Sequence, residues 1–194
     1  MAHQEIEGPW VLDTRELVRR PGTMRTVTRI VEAPEPIGTD VVAIQAGHPV
    51  ELEVRMESVV EGVLATGTVQ AVATGVCVRC LDEVRVDVDV TLQELFAYPD
   101  RATHHHQVGA DDEQDTQHQL DQDLMDTEEV VRDAVVTTLP FQPVCRDDCP
   151  GLCSECGTRL ADAPNHQHDV IDPRWSALAE HVYAGDGTDD EKRN

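Results

Sequence analysis

All six cysteines fall in closely spaced pairs: Cys77 and Cys80, Cys145 and Cys149, Cys153 and Cys156. Thiolates two residues apart on one tight turn can hold the same tetrahedral Zn²⁺ at about 2.3 Å each. Imidazoles follow the last pair at His166 and His168, so the chain offers eight donors, enough for two tetrahedral ions. Two divisions are open. One gives Cys77, Cys80, Cys145 and Cys149 to one ion and Cys153, Cys156, His166 and His168 to another. The other makes a single ribbon-like site from the two Cys-x-x-Cys pairs, with Cys145 and Cys149 free or auxiliary. Neither leaves a coordination position open, which points to structural zinc, because catalytic zinc keeps one position for water or substrate.

Other chemistries have weaker claims. The zinc-deaminase pattern needs a His-x-Glu with a downstream Pro-Cys-x-x-Cys, and His3-Gln-Glu5 has no such partner. A thioredoxin-type pair heads a helix in a βαβ unit, whereas Cys77 and Cys80 lie between two strand patterns. There is no phosphate-binding glycine loop and no nucleophile elbow. The run His104-His105-His106 sits among polar residues with nothing to fix its geometry, so weak adventitious metal binding is its expected limit.

The chain of 194 residues is long enough for one domain with a core plus tails. Hydrophobic residues make up 40% but aromatics only 3%, so Val, Leu and Ala must build the core, and a metal staple would help it. The net charge is −23, from 38 acidic and 15 basic residues. Such a surface repels phosphate backbones and attracts basic partners. No apolar run approaches the roughly 20 residues of a membrane span, and the N-terminus lacks a secretory signal pattern. A cytoplasmic protein is expected, where reduced thiols favour metal over disulfides.

The elements that must position the cysteines are legible in order. Asp13 or Thr14 is placed to cap a short helix that Pro21-Gly22 ends. Strands are expected over Thr26 to Val31 and around Val41 to Ile44. Val50, Leu52, Val54 and Met56 then alternate with charged residues, Glu61-Gly62 turns, and Val63 to Val76 returns to complete a hairpin. Cys77-Val-Arg-Cys80 comes next at the tip of a second turn, before a strand with Val84, Val86, Val88, Val90 and Leu92 on one face. Residues 99–123 read as an acidic, His-rich flexible loop. Asp126 and Glu129 form a capping-box pattern for a helix bearing Val130, Val131, Ala134 and Val135, which Pro140 stops and which should pack on the sheet. A short helix from Pro173 to about Val182 is expected before a frayed tail.

Arg15, Arg19, Arg20, Arg25 and Arg29 are the one basic concentration. They read either as a solvated face balancing nearby glutamates or as a contact for RNA phosphate or an anionic partner.

Taken together, Cys77-Val-Arg-Cys80-Leu, the acidic loop, Asp123-Leu124, Leu139-Pro140, Cys145 to Gly157, Asp172-Pro173-Arg174 and Arg20-Pro21-Gly22-Thr-Met-Arg25 resemble the YceD family, the large ribosomal RNA subunit accumulation proteins. The similarity runs from about Leu12 to Val182, with Gly151 to Gly157 its most specific part. Where many relatives carry Cys-x-Cys, this chain has His166-Gln-His168, a competent exchange of zinc ligands. The resemblance implies a part in producing or accumulating large-subunit (23S) rRNA. It also suggests a basic large-subunit ribosomal protein as partner, since relatives are commonly encoded beside one.

The expectation is an α+β protein with an antiparallel sheet of about five strands, one packed helix, and a Cys-rich zinc segment over residues 144–168. Residues 12–182 should form one domain between tails at 1–11 and 183–194. Its expected role is as a non-catalytic ribosome-biogenesis factor binding one or two structural zinc ions, with large-subunit rRNA or its precursor as partner and neither a membrane nor a small-molecule substrate. The alternatives are a metal- or thiol-dependent enzyme acting on RNA and a general zinc-stapled adaptor.

Overall fold

The computed structural model describes residues 8–100, 118–168 and Arg174. The His104 to His106 run, most of the expected acidic loop, the Pro173 to Val182 helix apart from Arg174, and the C-terminal tail lie outside the described residues. The chain divides into two compact units, Met1–Cys149 and Pro150–Asn194.

The first unit is built on a hairpin. The alternating run forms β5 (Pro49–Ser58) and returns as β6 (Gly62–Val76), with Val50 opposite Ala71 and Ser58 opposite Val63. Residues 59–61 make the turn. Gly62 already belongs to β6, paired with Ala97, and a Cβ there would overlap the Phe96 carbonyl of the neighbouring strand. Along its other edge β6 pairs over its whole length with β7 (Glu83–Ala97).

The sheet is larger than expected, with six antiparallel strands rather than five. β2 (Met24–Glu32) lies outside β5, while β4 (Val42–Ile44) pairs with the far end of β6 and carries β3 (Ile37–Gly38). The two-residue β3 is too short to leave a periodic signal.

Because paired residues share a face, Val50, Leu52, Val54 and Met56 join Val69, Ala65, Val88 and Leu92 on the buried side. The helix α1 (Glu128–Thr138) covers this side against β7 and β3, with Val131 and Val135 fully buried. Burying a Val or Leu of this kind contributes roughly 1.5–3 kcal/mol, so aliphatic interdigitation makes most of the core, with Trp10, Phe96 and Tyr98 its aromatic members. Among the described residues no helix is long and apolar enough to cross a membrane.

Three further expectations need correction. The helix after Asp13 is only a single 3₁₀ turn, Arg15–Leu17, because Val18 and Arg19 adopt left-handed backbone that cannot propagate a helix. Before it, β1 (Val11–Asp13) pairs with β8 (Leu124–Asp126), burying Leu12 and Met125. The N-cap of α1 is Thr127 rather than Asp126. Its Oγ1 donates to the Trp10 carbonyl at 2.7 Å, while the Asp126 carboxylate accepts from the Glu128 N–H at 3.0 Å. Within the expected loop, Gln119 bridges to Ala97 and Leu120 enters the core.

Candidate metal centres

The turn between β6 and β7 is a knuckle closed by its own backbone. The Leu81 N–H donates to the Cys77 carbonyl at 2.9 Å, and the Cys77 N–H to the Asp82 carbonyl at 2.7 Å. The Arg79 N–H points at Cys77 Sγ at 3.4 Å. Pro140 ends α1, and the chain then runs to this turn, where the Val78 N–H donates to the Pro143 carbonyl at 2.9 Å. Arg79 secures the adjoining loop, its Nη1 reaching the carbonyls of Asp147 and Cys149 at 3.0 and 3.1 Å. That loop is thereby held so that Cys145 and Cys149 face Cys77 and Cys80.

The four sulfurs lie within 4.8 Å of one another. Cys77 and Cys149 are 3.9 Å apart and Cys80 and Cys145 3.6 Å apart. A tetrahedron with 2.3 Å metal–sulfur bonds has edges of about 3.8 Å, and these two edges match it, so the donor set suits zinc. Charge supports the same reading. Burial, the largest influence, pushes the Cys77 thiol up. Backbone N–H groups of Cys145, Cys80 and Arg79 and the Cys80 thiol outweigh it, bringing Cys77 down from 9.0 to about 6. Burial first, and then the thiols of Cys77, Cys145 and Cys149, push Cys80 up to about 12. The Cys80 thiol points at the Asp82 carboxylate, 3.4 Å away. Without a cation the cluster tolerates little negative charge, and a divalent ion would let all four sulfurs ionise.

The second unit repeats the knuckle. Gly157 N–H donates to the Cys153 carbonyl at 2.9 Å and Cys153 N–H to the Thr158 carbonyl at 2.8 Å, with Gly157 left-handed at φ 72°. His166 and His168 turn back onto it. Their Nε2 atoms lie 3.1 and 3.2 Å from Cys156 Sγ and 2.8 Å from each other, and Cys153 completes a group within 4.8 Å. The Thr158 hydroxyl, 3.0 Å from Cys156 Sγ, is the largest influence drawing that thiol down to about 6. Tetrahedral zinc needs about 3.3 Å between nitrogens and 3.6 Å between nitrogen and sulfur, so the right donors converge here but must spread slightly to admit the ion.

The eight donors thus gather in the two groups of the first division open from sequence. In both groups, zinc would be held with every position filled, supplying cross-linking rather than Lewis-acid chemistry.

The basic cluster does not stand together as a free patch. Arg15 pairs with Asp13, Arg25 with Glu16 at 3.1 Å, and Arg19 with Asp100 and Asp123 at 3.7 and 3.6 Å. Arg29 donates to the Val11 carbonyl at 2.9 Å. Arg25 and Arg29 lie opposite Met56 and Leu52, on the buried side of edge strand β2, and tie the N-terminal segment down. Arg20 is exposed, with no ion pair among the described residues. Arg79 is the residue sequence reasoning missed; its only signal is its place inside the Cys77 to Cys80 turn.

The model of a family described as "Large ribosomal RNA subunit accumulation protein YceD" matches residues 65–180. An uncharacterized protein of Mycobacterium tuberculosis is 46% identical over 179 residues, covering 92% of this chain and 84% of that protein. One of Mycobacterium leprae is 45% identical over 177 residues, covering 91% and 79%. No solved structure matches.

Proposed function

We propose that this chain, which belongs to the YceD family of large ribosomal RNA subunit accumulation proteins, is a non-catalytic ribosome-biogenesis factor promoting production, processing or accumulation of 23S rRNA. The observation that carries the reading is the family match, which starts within β6 and takes in both cysteine knuckles and α1. The closed donor sets support a structural rather than catalytic zinc. Cytoplasmic thiols, kept reduced, would be available to bind it.

The exposed side of the sheet supports a basic protein partner. Glu51, Glu53, Arg55 and Glu57 on β5 share that side with Arg85, Asp87 and Asp89 on β7, and with the largely exposed Ile30 on β2. With Glu83 on β7 and Glu32 on β2, seven carboxylates against two guanidinium groups disfavour a phosphate backbone and favour a Lys- or Arg-rich surface such as that of a large-subunit ribosomal protein. Arg20 is the residue of the basic cluster best placed to meet rRNA or an anionic partner.

The test is the ratio of large- to small-subunit rRNA, with precursor lengths, in cells depleted of the protein. A selective fall in the large-subunit species is expected. An unchanged ratio would reject the ribosomal role and leave a zinc-stapled adaptor. Binding to the basic ribosomal protein should be salt-sensitive, and no complex even at low salt would remove that partner.

A further inference from the structure

Every buried hydrophobic side chain among the described residues lies between Trp10 and Cys149, in the first unit. Local ties run through the described part of the second unit, residues 150–168. The Leu160 N–H meets the Gly151 carbonyl at 3.1 Å, Leu152 bridges to Arg159, and the His166 N–H meets the Ala163 carbonyl at 3.0 Å. What joins the knuckle at one end to the turn at the other is the meeting of Cys153 and Cys156 with His166 and His168. Units as small as Pro150–Asn194 often need a metal, disulfide or partner to fold.

The two donor sets also differ in preparation. In the first set Cys77 and Cys149 are buried at 0% and 5% exposure though Cys145 is exposed, the Cys77 and Cys149 sulfurs are 3.9 Å apart, and Arg79 and Val78 anchor the opposing loop; in the second, Cys153 and His166 are only half-buried. Cys156 and His168 are exposed, their donor atoms are too close for an ion, and Thr158 is the side chain bonded to them from outside the set. A donor set that must open, with less support around it, binds less tightly and exchanges faster.

We propose that Cys153, Cys156, His166 and His168 form an exchangeable zinc site whose occupancy controls the folding of residues 150–168, while the first unit stays folded around its own ion. Zinc supply would then switch this segment on a folded core. The inference rests on the zinc reading of the thiol clusters, and the experiment separates the two.

The zinc-loaded full chain is titrated with a chelator while bound zinc is counted by native mass spectrometry and tryptic cleavage after Arg159 is followed. Two ions should leave in two phases, the first faster by on the order of tenfold or more, with Arg159 opening to trypsin during that phase. The double variant His166→Asn, His168→Asn should bind one ion, lose the fast phase, expose Arg159 from the start and keep the unfolding temperature of the first unit. Cys153→Ser should behave alike. Equal release rates, retention of two ions by the double variant, or continued protection of Arg159 after the first ion leaves would each overturn the proposal. A chain binding one ion, indifferent to the histidine variants, would overturn it and leave the Cys77 site standing. A chain binding none would reject both.

Discussion

Leu81 and Gly157 hold the same left-handed backbone, at φ 63° and 72°, each one residue past the second cysteine of its knuckle and each donating its N–H to the first cysteine's carbonyl at 2.9 Å. The two knuckles are one local structure written with different residues. A non-glycine residue in this conformation costs roughly 1–2 kcal/mol, whereas a glycine adds chain entropy to the unfolded state that offsets up to about 1 kcal/mol. Leu81→Gly should therefore be neutral or stabilise the first unit by up to about 1 kcal/mol, read from its unfolding temperature. Gly157→Ala adds a Cβ with no heavy atom within 4 Å, so it meets only the backbone penalty. It should weaken zinc at the second site roughly fivefold. Shifts of the same sign in both would show that the shared conformation is not what the two positions contribute.

Arg79 acts on the first site through backbone. Its guanidinium holds the carbonyls of Asp147 and Cys149, and with them the loop that presents two ligands. Arg79→Ala should lower zinc affinity of the first site by about 10–100-fold while the four cysteines remain. Lysine has a single point of contact and should rescue part of the loss. An alanine variant with unchanged zinc competition would make the two hydrogen bonds incidental.

Removing zinc should expose the pH behaviour of the bare thiols. In the metal-free chain Cys77 lies at about 6, below its ordinary 9.0, so its contribution to stability is complete above pH 9.0 and lost as pH falls through 6. Cys80, at about 12, contributes fully below pH 9.0 and loses its contribution as pH rises through 12. The chelated chain should thus be most stable near pH 9, whereas the loaded chain should release zinc as pH falls and protons compete for sulfur. Unfolding temperatures from pH 5 to 10, with and without chelator, decide this. A chelated chain equally stable at pH 6 and 9 would contradict the argument.

How far the sequence could be read depended on the range of each interaction. The alternation through Val50 to Met56 and Val84 to Leu92 is a local record of one buried face, so both strands and their shared partner β6 were legible. The pairing of Cys77 with Cys149 is not local. Spacing alone allowed two divisions of the donors, and the choice is made by Arg79 and the Val78 to Pro143 bond, which no periodicity encodes. The arginines are the converse case. Counted along the chain they form a cluster, but the strand period turns Arg25 and Arg29 toward the buried side while left-handed backbone at Val18 and Arg19 breaks the expected helix.

That dispersal decides which arginine can test a partner contact. Arg19 lies over the Tyr98 ring at 4.7 Å, and the Tyr98 hydroxyl shares a buried hydrogen bond of 3.1 Å with Ser58. Tyr98→Phe leaves the Ser58 hydroxyl without its partner and should cost about 1–3 kcal/mol. Arg19→Glu removes a cation–π contact of about 0.5–1 kcal/mol and sets three carboxylates together at Asp100, Asp123 and position 19, so lost binding there would come with lost stability. Arg20→Glu touches no such contact and should leave stability within about 0.5 kcal/mol. Weakened binding of large-subunit rRNA by Arg20→Glu at an unchanged unfolding temperature would establish a direct contact. Full binding by that variant would remove Arg20 from the interface, and the acidic sheet face would remain as the surface to mutate next.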